Sequence, residues 1–204
     1  GLPAGFEAIM YSISNIIVQV SINNFGVDTM AAWTAYSKID FIFWMINSAF
    51  GISVMTFVGQ NYGAGKWDRI RRGTKICLGM ALISAVFVSI ILMSAERFLF
   101  GIFVNDAGVV EIGIHMMNVI APAYLLFAFI EVFSGALRAQ GAVVVSTLIT
   151  MVGICVLRMI WVTLVAAHGT LEQVIICYPI TWAAGALAMS IYYIYKQRKI
   201  FQAR

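Results

Sequence analysis

Six long apolar runs are the feature that most constrains how this chain can fold. Each is about 20 residues long or more, the length that a helix needs to cross roughly 30 Å of hydrocarbon. We place them at approximately 4–24, 31–57, 74–95, 109–136, 143–167 and 172–195. The 204 residues are 62% hydrophobic and only 11% charged, whereas about a quarter of a soluble domain is charged. The sequence therefore predicts an all-α integral membrane protein whose six transmembrane helices form a single lobe over residues 1–204, with no soluble domain.

The basic residues are concentrated at one end of the predicted bundle. If the six runs alternate in direction, the connection near 59–75, Arg138 and the tail from Lys196 to Arg204 lie at the same end, and they hold most of the 13 Lys and Arg residues. The opposite end carries Asp28 and Asp106. Cytoplasmic connections carry an excess of Lys and Arg. We therefore expect a multi-pass protein of the cytoplasmic (plasma) membrane with both termini of this segment in the cytoplasm, and we expect the basic residues to contact the bilayer and not a nucleic acid.

The spacing of the glycine and cysteine residues supports neither a phosphate-binding loop nor a metal site. A phosphate-binding loop fails at Gly65-Lys66, because Gln60 stands where its first glycine belongs and Trp67 replaces the hydroxyl that would hold Mg²⁺. The three cysteines lie in apolar runs without metal-ligand spacing. An enzyme acting on lipid headgroups would need a cluster of Asp or His at one membrane depth, which the sequence lacks. We expect no metal, no cofactor and no enzymatic activity.

Ionisable residues inside the runs are candidates for functional sites. A charge near the bilayer centre costs about 3 kcal/mol on insertion scales, so it is expected to face a cavity or a partner. Lys38 and Asp40 are two positions apart and point away from each other on a helix. The cation facing Asp40 is therefore expected to be Arg158 or a transported ion, and Asp40 is either an ion-coupling or substrate-contacting residue or half of a structural pair. Arg158 is expected to pair with a carboxylate, and Lys38 to extend towards the membrane surface.

Two further carboxyl groups are weighed in the same way. Glu131 lies seven residues before Arg138, which places both on one helix face with Glu131 deeper in the membrane. Burial disfavours the charged form of a carboxyl, so Glu131 is either a proton-binding group or a buried hydrogen-bonding strut. Glu7 follows Pro3 by one turn at a helix start, where the positive end of the helix dipole favours an acid. It is a weaker candidate for an ion ligand.

Polar and aromatic residues at helical spacing predict a lined cavity. The first run carries a stripe made of Ser12, Asn15, Gln19 and Asn23. Such a stripe does not suit a lipid-facing surface, so it is expected to face either a water-filled substrate cavity or neighbouring helices, and Asn47 is expected to join it. Phe41, Trp44 and Phe127 are among the aromatic residues that can stack on a flat cation. Pro122 is expected to kink the fourth run.

Several stretches resemble one known family. The segment FVGQNYGAGKWDRIRRG, Phe57 to Gly73, resembles the cytoplasmic connection between the second and third helices of one half of a multidrug and toxic compound extrusion (MATE) transporter. SGALRAQG, Ser134 to Gly141, and VLRMIWV, Val156 to Val162, resemble the fourth and fifth helices of the C-terminal half. The resemblance covers essentially the whole chain and implies one lobe of a twelve-helix transporter, with the N-terminal lobe missing from this sequence. The residues that carry the connecting motif are Gly59, Gln60, Asn61, Gly63 and Ala64.

The resemblance also implies a function. A complete transporter of this kind would export an organic cation or drug in exchange for H⁺ or Na⁺, and related sequences commonly carry an acid at the position of Asp40. Asp40 and Glu131 would then be the groups for which the drug and the coupling ion compete. Two alternatives remain. One is half of a related lipid-linked oligosaccharide flippase, which would need more cations than Lys38 and Arg158 supply. The other is a membrane scaffold that transports nothing.

Overall fold

The structure is a computed structural model that describes residues 2–165 and 169–202, and these residues are helical almost throughout. The elements in chain order are α1 Leu2–Asn23, α2 Val27–Gly63, α3 Trp67–Ser94, α4 Glu96–Gly101, α5 Ala107–Ile120, a 3₁₀ turn Ala121–Ala123, α6 Tyr124–Ala139, α7 Val143–Thr150, a π-helical segment Met151–Val156, α8 Leu157–Ile160, a second π-helical segment Trp161–Val165, α9 Leu171–Ile175 and α10 Cys177–Gln202. Within the described ranges, six helical stretches are long and apolar enough to span a membrane. The predicted all-α membrane fold is therefore confirmed.

The connection between α2 and α3 is much shorter than the sequence predicted. α2 continues to Gly63 and α3 begins at Trp67, so only residues 64–66 link the two helices. The motif residues 59–61 and Gly63 are thus the last turns of α2, and the prediction of a loop over 59–75 is wrong. The basic residues after Trp67 do not require a loop. Lys and Arg have long stems, so a helix can continue into the headgroup region while their charges stay in water.

The end of α2 reverses the chain through a glycine in the left-handed conformation. Gly65 has φ of 66°, its N–H donates to the Tyr62 carbonyl at 3.1 Å, and the Lys66 N–H donates to the Asn61 carbonyl at 2.8 Å. This pair of bonds is the Schellman arrangement, which satisfies carbonyls that a helix end leaves open. α6 ends in the same way at Gly141, where φ is 79°. Both reversals lie at the end of the bundle that also holds the end of α10, which we call the basic end.

The fourth membrane stretch is interrupted where the sequence predicted a kink. Pro122 lies in the 3₁₀ turn between α5 and α6, because proline supplies no N–H for the helical ladder. The Ser89 hydroxyl of α3 donates to the Ala121 carbonyl at 2.8 Å. A neighbouring helix therefore hydrogen-bonds the backbone at the break, as irregular backbone inside a membrane requires.

α6 is the central helix of the bundle and packs against α2, α3 and α10. At its crossing with α2, a Cβ added to Gly135 would lie 2.7 Å from the Gly51 carbonyl oxygen and 2.8 Å from Val54 Cγ1. Glycine on both helices lets the backbones approach more closely than larger residues would allow. This close crossing fixes how the polar residues of α2 face those of α6.

The fifth membrane stretch is held to α10 in a similar way. A Cβ added to Gly153, in the first π-helical segment, would lie 3.3 Å from the Gly185 Cα of α10. π-helical turns are rare and occur frequently at functional sites. Here two of them flank α8, which carries Arg158.

Candidate functional site

A cavity of about 510 Å³ lies between α1, α2 and α10. Small-molecule sites commonly measure roughly 300–1,000 Å³ and are mostly apolar with a few placed polar groups. The polar side chains that line this cavity are Asn15, Gln19, Ser37 and Asp40. Its aromatic lining residues are Tyr11, Trp33, Tyr36, Phe41, Trp44, Tyr178 and Trp182. The cavity therefore combines a carboxyl group with aromatic rings on several sides.

Asp40 is held by neutral donors from two helices. Its side chain is buried, with 9% of its surface exposed. The Trp44 indole N–H donates to Oδ2 at 2.5 Å, and the Tyr124 hydroxyl of α6 donates to Oδ1. Trp44 reaches the carboxylate because residues four apart on a helix meet on the same face. The Tyr124 hydroxyl also lies 3.2 Å from the Tyr36 hydroxyl, so Asp40 ends a short chain of hydroxyl groups.

Arg158 does not pair with Asp40. In the part of the chain that the structure describes, no carboxylate forms an ion pair with Arg158, so the prediction of a carboxylate partner is wrong there. Its Nη1 donates to Asn15 Oδ1 at 3.1 Å, and its guanidinium lies 4.2 Å from the centre of the Tyr178 ring. An aromatic face carries partial negative charge and attracts a cation. These two neutral partners take the place that the sequence assigned to a carboxylate.

The buried guanidinium lies directly behind the cavity surface. Arg158 is 0% exposed, while Asn15 and Tyr178, which contact it, both line the cavity. Its Nε makes no hydrogen bond to any described group, and the same holds for the Trp182 indole N–H, which lines the cavity. The cavity surface therefore contains a hydrogen-bonding group that the protein itself does not use.

Aromatic contacts fix the shape of the cavity. The Trp44 ring lies 6.0 Å from Trp182 and 4.6 Å from Phe127, both edge-on. Phe43 stacks on Tyr124 with ring centres 3.8 Å apart. The sequence singled out Trp44 and Phe127 but missed Tyr36, Tyr124, Tyr178 and Trp182. They come from three helices, and spacing within one helix gives no signal for contacts between helices.

Glu131 lies apart from this cavity, at the crossing of α2 and α6. Its carboxyl packs directly over Gly51, where an added Cβ would collide with it. Among the described side chains, none makes a hydrogen bond or an ion pair with Glu131. Glu131 is partly buried. Asn47 precedes Gly51 by one turn of α2 and is buried, with an Nδ2 that lacks a partner within the described residues. Asn47 is not among the cavity-lining residues, so the expectation that it joins the polar stripe of α1 is wrong.

Arg138 turns to Glu7 and not towards Glu131. Its Nη2 lies 2.7 Å from Glu7 Oε1 and 2.9 Å from Oε2. Thr147 of α7 donates to the same carboxylate at 3.1 Å. Glu7 therefore ties α1 to α6 and α7 and does not act as the acid of the first helical turn, as the sequence had suggested. The carboxylate of Glu7 thus accepts hydrogen bonds from both Arg138 and Thr147. Hydrogen bonds to an ionised group are stronger than those between neutral groups.

The remaining predicted residues occupy three different places. Asn15 and Gln19 of the polar stripe line the cavity, and Gln19 also donates to Asn23 Oδ1 at 2.7 Å. Lys38 is exposed, with Nζ 5.4 Å from the Phe103 ring centre at the end opposite to the basic end. Asn61 of the connecting motif donates to the Phe57 carbonyl at 2.8 Å.

Over residues 2–165 and 169–202, no group of three or more His, Cys, Asp and Glu is arranged to hold a metal.

Comparison with known proteins identifies relatives that are longer than this chain. The MatE family model matches residues 3–164. "Probable multidrug resistance protein YoeA" of Bacillus subtilis is 25% identical over 206 residues, which cover 98% of this chain and 44% of the relative. Human "Multidrug and toxin extrusion protein 1" is 22% identical over 158 residues, covering 74% of this chain and 28% of the relative. The chain thus spans less than half the length of both.

Solved structures show the same fold. An outward-facing multidrug resistance MATE family transporter of the MOP superfamily matches 99% of this chain with a TM-score of 0.90 at 16% identity, and the match covers 46% of that protein. A MOP superfamily transporter from Pyrococcus furiosus matches 96% of this chain with a TM-score of 0.87 at 16% identity, covering 44% of its own length. The helical arrangement of this chain is therefore that of about half of such a transporter.

Proposed function

The chain belongs to the MatE family, whose model matches most of it, and on that premise we propose that it forms half of a multidrug efflux antiporter. The exported molecule is an organic cation, and its export is coupled to entry of H⁺ or Na⁺. A second six-helix lobe completes the transporter, since the relatives are more than twice as long as the matched region. The basic end of the bundle lies at the cytoplasmic surface of the plasma membrane.

The observation that carries this proposal is the carboxyl of Asp40 beside an aromatic cavity. Aromatic rings attract a cation through their faces by about 0.5–2 kcal/mol each, more when the contact is dry. A carboxylate at the cavity surface selects positive charge, and the rings select flat apolar molecules. A hydrophobic cation of drug size satisfies both preferences within a cavity of about 510 Å³.

Competition at Asp40 supplies the coupling mechanism. The carboxylate already accepts hydrogen bonds from Trp44 and Tyr124, so its position is fixed before a cation arrives. A proton or Na⁺ at this group removes the negative charge that holds the drug. A ligand shifts a conformational equilibrium only by its difference in affinity for the two states. Loading the coupling ion therefore favours the conformation that has released the drug.

Glu131 is the second group to which we assign ion binding. Its partly buried carboxyl has no hydrogen-bond or ion-pair partner among the described residues, so protonation or a bound cation would relieve an unpaired charge. Glu131 also contacts the crossing of α2 and α6 through Gly51. Its charge state is therefore placed to influence how these two helices pack.

The test is an efflux assay on the complete natural protein in vesicles with imposed pH and Na⁺ gradients. We expect Asp40→Asn to reduce gradient-driven export of an aromatic cation by roughly tenfold or more, which corresponds to about 1.4 kcal/mol of lost coupling. Asp28→Asn is the matched control, because Asp28 is an exposed acid on the same helix, outside the cavity. It should export normally.

The variant Glu131→Gln distinguishes the role of Glu131 from that of Asp40 in the same assay. We expect it to weaken the dependence on one ion gradient while binding of the drug, measured without a gradient, stays close to wild type. If both acid variants export at the wild-type rate, the proposal fails and a non-transporting scaffold becomes the better account. Transport of a polyanionic lipid-linked sugar would instead favour a flippase, although among the described residues no Lys or Arg lines the cavity.

A further inference from the structure

A second, basic pocket lies at the basic end between α3 and α10. It measures about 370 Å³ and is lined by Arg71, Lys75, Tyr193, Ile194, Gln197 and Arg198. None of these residues lines the aromatic cavity. The two pockets are therefore separate sites, and the proposed transport mechanism makes no use of this one.

The pocket has a buried polar floor and a cationic rim. Tyr193 and Gln197 are 7% and 8% exposed, whereas Arg71, Lys75 and Arg198 are exposed. Both helices supply cations, so positive charge lies on two sides of the opening. Within the described part of the chain, neither Lys75 nor Arg198 forms an ion pair with a carboxylate. The rim therefore offers a concentrated positive charge to a ligand.

The floor of the pocket is rigidly held and contains a buried hydroxyl group without a well-formed hydrogen bond. The Tyr193 ring stacks on Phe133 with centres 4.5 Å apart. Its hydroxyl is buried close to Thr74 of α3, without a hydrogen bond of normal geometry to any described group. Gln197 donates to Gln140 Oε1 at 2.9 Å, which anchors α10 to the end of α6. A buried hydroxyl with a poorly formed hydrogen bond is unfavourable, and an anionic oxygen in the pocket would accept a better one.

The location of the pocket points to a lipid. α3 begins and α10 ends at the basic end, so the pocket lies near the level of the headgroups. Ile194 and Ile191, exposed by 49% and 59%, continue along α10 from the pocket towards the bilayer centre. A ligand with an anionic head and acyl chains would thus place its head among the cations and its chains along this apolar surface. Basic pockets between membrane helices bind anionic headgroups in this way.

We propose that the pocket between α3 and α10 binds the phosphate-bearing headgroup of an anionic phospholipid. The lipid bridges the start of α3 and the end of α10 and fixes the depth of the basic end in the membrane. This inference does not depend on which molecule the protein transports, because lipid binding is measured without transport.

The experiment is native mass spectrometry of the complete natural protein in detergent, titrated with phosphatidylglycerol or with phosphatidylcholine. The test variant is Lys75→Gln with Arg198→Gln. The matched control is Arg72→Gln with Lys199→Gln, which removes the same charge from exposed positions on the same two helices outside the pocket. We expect binding of phosphatidylglycerol to weaken by about 20-fold in the test variant and by about twofold or less in the control. Tyr193→Phe, which keeps the ring, should weaken it by about threefold or more.

Three results would overturn the proposal. Equal loss of phosphatidylglycerol from the test and control variants would show that general surface charge, and not the pocket, holds the lipid. Displacement of the lipid by inorganic phosphate at equal concentration would show that the site recognises free phosphate. Binding of phosphatidylcholine as tight as that of phosphatidylglycerol would likewise contradict an anionic headgroup. If the test variant melts below the wild type, Tyr193→Phe decides the question, since it removes one oxygen atom.

Discussion

At the scale of single residues, the two charges near the cavity are stabilised by neutral groups and not by each other. Asp40 receives hydrogen bonds from Trp44 and Tyr124, while Arg158 contacts the amide of Asn15 and the ring of Tyr178. An ion pair between them would neutralise both charges and leave nothing for a transported cation to balance. Neutral partners order the carboxylate without neutralising its charge, which is what the proposed competition requires.

The contact between Arg158 and Tyr178 leads to a prediction about stability. A desolvated guanidinium over an aromatic face is worth about 2 kcal/mol or more. Tyr178→Phe keeps the ring, so it should change the free energy of unfolding little. Tyr178→Leu removes the ring and should lower this free energy by about 2 kcal/mol more than Tyr178→Phe does. Equilibrium denaturation of the complete protein in micelles measures the difference.

The control for this prediction is Tyr195→Leu, the same substitution at a side chain of α10 that is 58% exposed. It should leave the free energy of unfolding nearly unchanged. If Tyr178→Phe proves as damaging as Tyr178→Leu, the hydroxyl and not the ring stabilises the buried guanidinium, and the cation–π account of Arg158 is wrong.

At the scale of helices, the sequence predicted the elements well and their contacts poorly. Length and hydropathy located the membrane helices, and Pro122 marked the break between α5 and α6, because these properties belong to continuous segments. The end of α2 was misplaced since helix and loop can both carry Lys and Arg at a membrane surface. The α6 side chain that holds Asp40 is 84 residues away along the chain. No spacing within one helix encodes such a contact, so Tyr124 was missed.

The crossing of α2 and α6 gives a prediction at this scale. Gly135→Ala would place a Cβ against the Gly51 carbonyl and Val54, and backbone atoms cannot move aside as a side-chain end can. We expect the free energy of unfolding to fall by about 1–3 kcal/mol, the usual range for overpacking. Gly79→Ala on α3 is the matched control, because an added Cβ there meets no atom within 4 Å. It should be neutral or stabilising, since alanine favours helix more than glycine does.

The stability of both glycine variants is measured by thermal unfolding of the complete protein, which is followed through intrinsic tryptophan fluorescence. Equal stability of Gly135→Ala and Gly79→Ala would mean that α2 and α6 can separate without loss, and the close crossing would not be a fixed feature of the fold. That result would also weaken the role assigned to Glu131, which depends on its contact with the same crossing.

At the scale of the whole molecule, the two pockets lie between different sets of helices that share α10, and we assign them different ligands. The aromatic cavity is bounded by α1, α2 and α10, and its polar residues on α1 suit a water-filled space shared with a second lobe. The basic pocket lies between α3 and α10 at the membrane surface. We therefore assign one side of the bundle to the proposed transport pathway and another to the proposed lipid site. It also requires the basic end to lie at an anionic membrane surface.

The orientation of the molecule gives the last prediction. Ala64, between α2 and α3, and Asn105, between α4 and α5, are exposed and separated by the single span α3, so they lie at opposite membrane surfaces. We expect a membrane-impermeant maleimide applied to intact cells to label Asn105→Cys and not Ala64→Cys, because basic connections stay in the cytoplasm. Cys77, Cys155 and Cys177 are partly or fully buried, and Cys77→Ser serves as the background for both reporters. Both cysteine reporters should react after the cells are permeabilised. If Ala64→Cys is labelled from outside, the orientation is opposite to the one proposed, and the proposed lipid site lies at the outer surface.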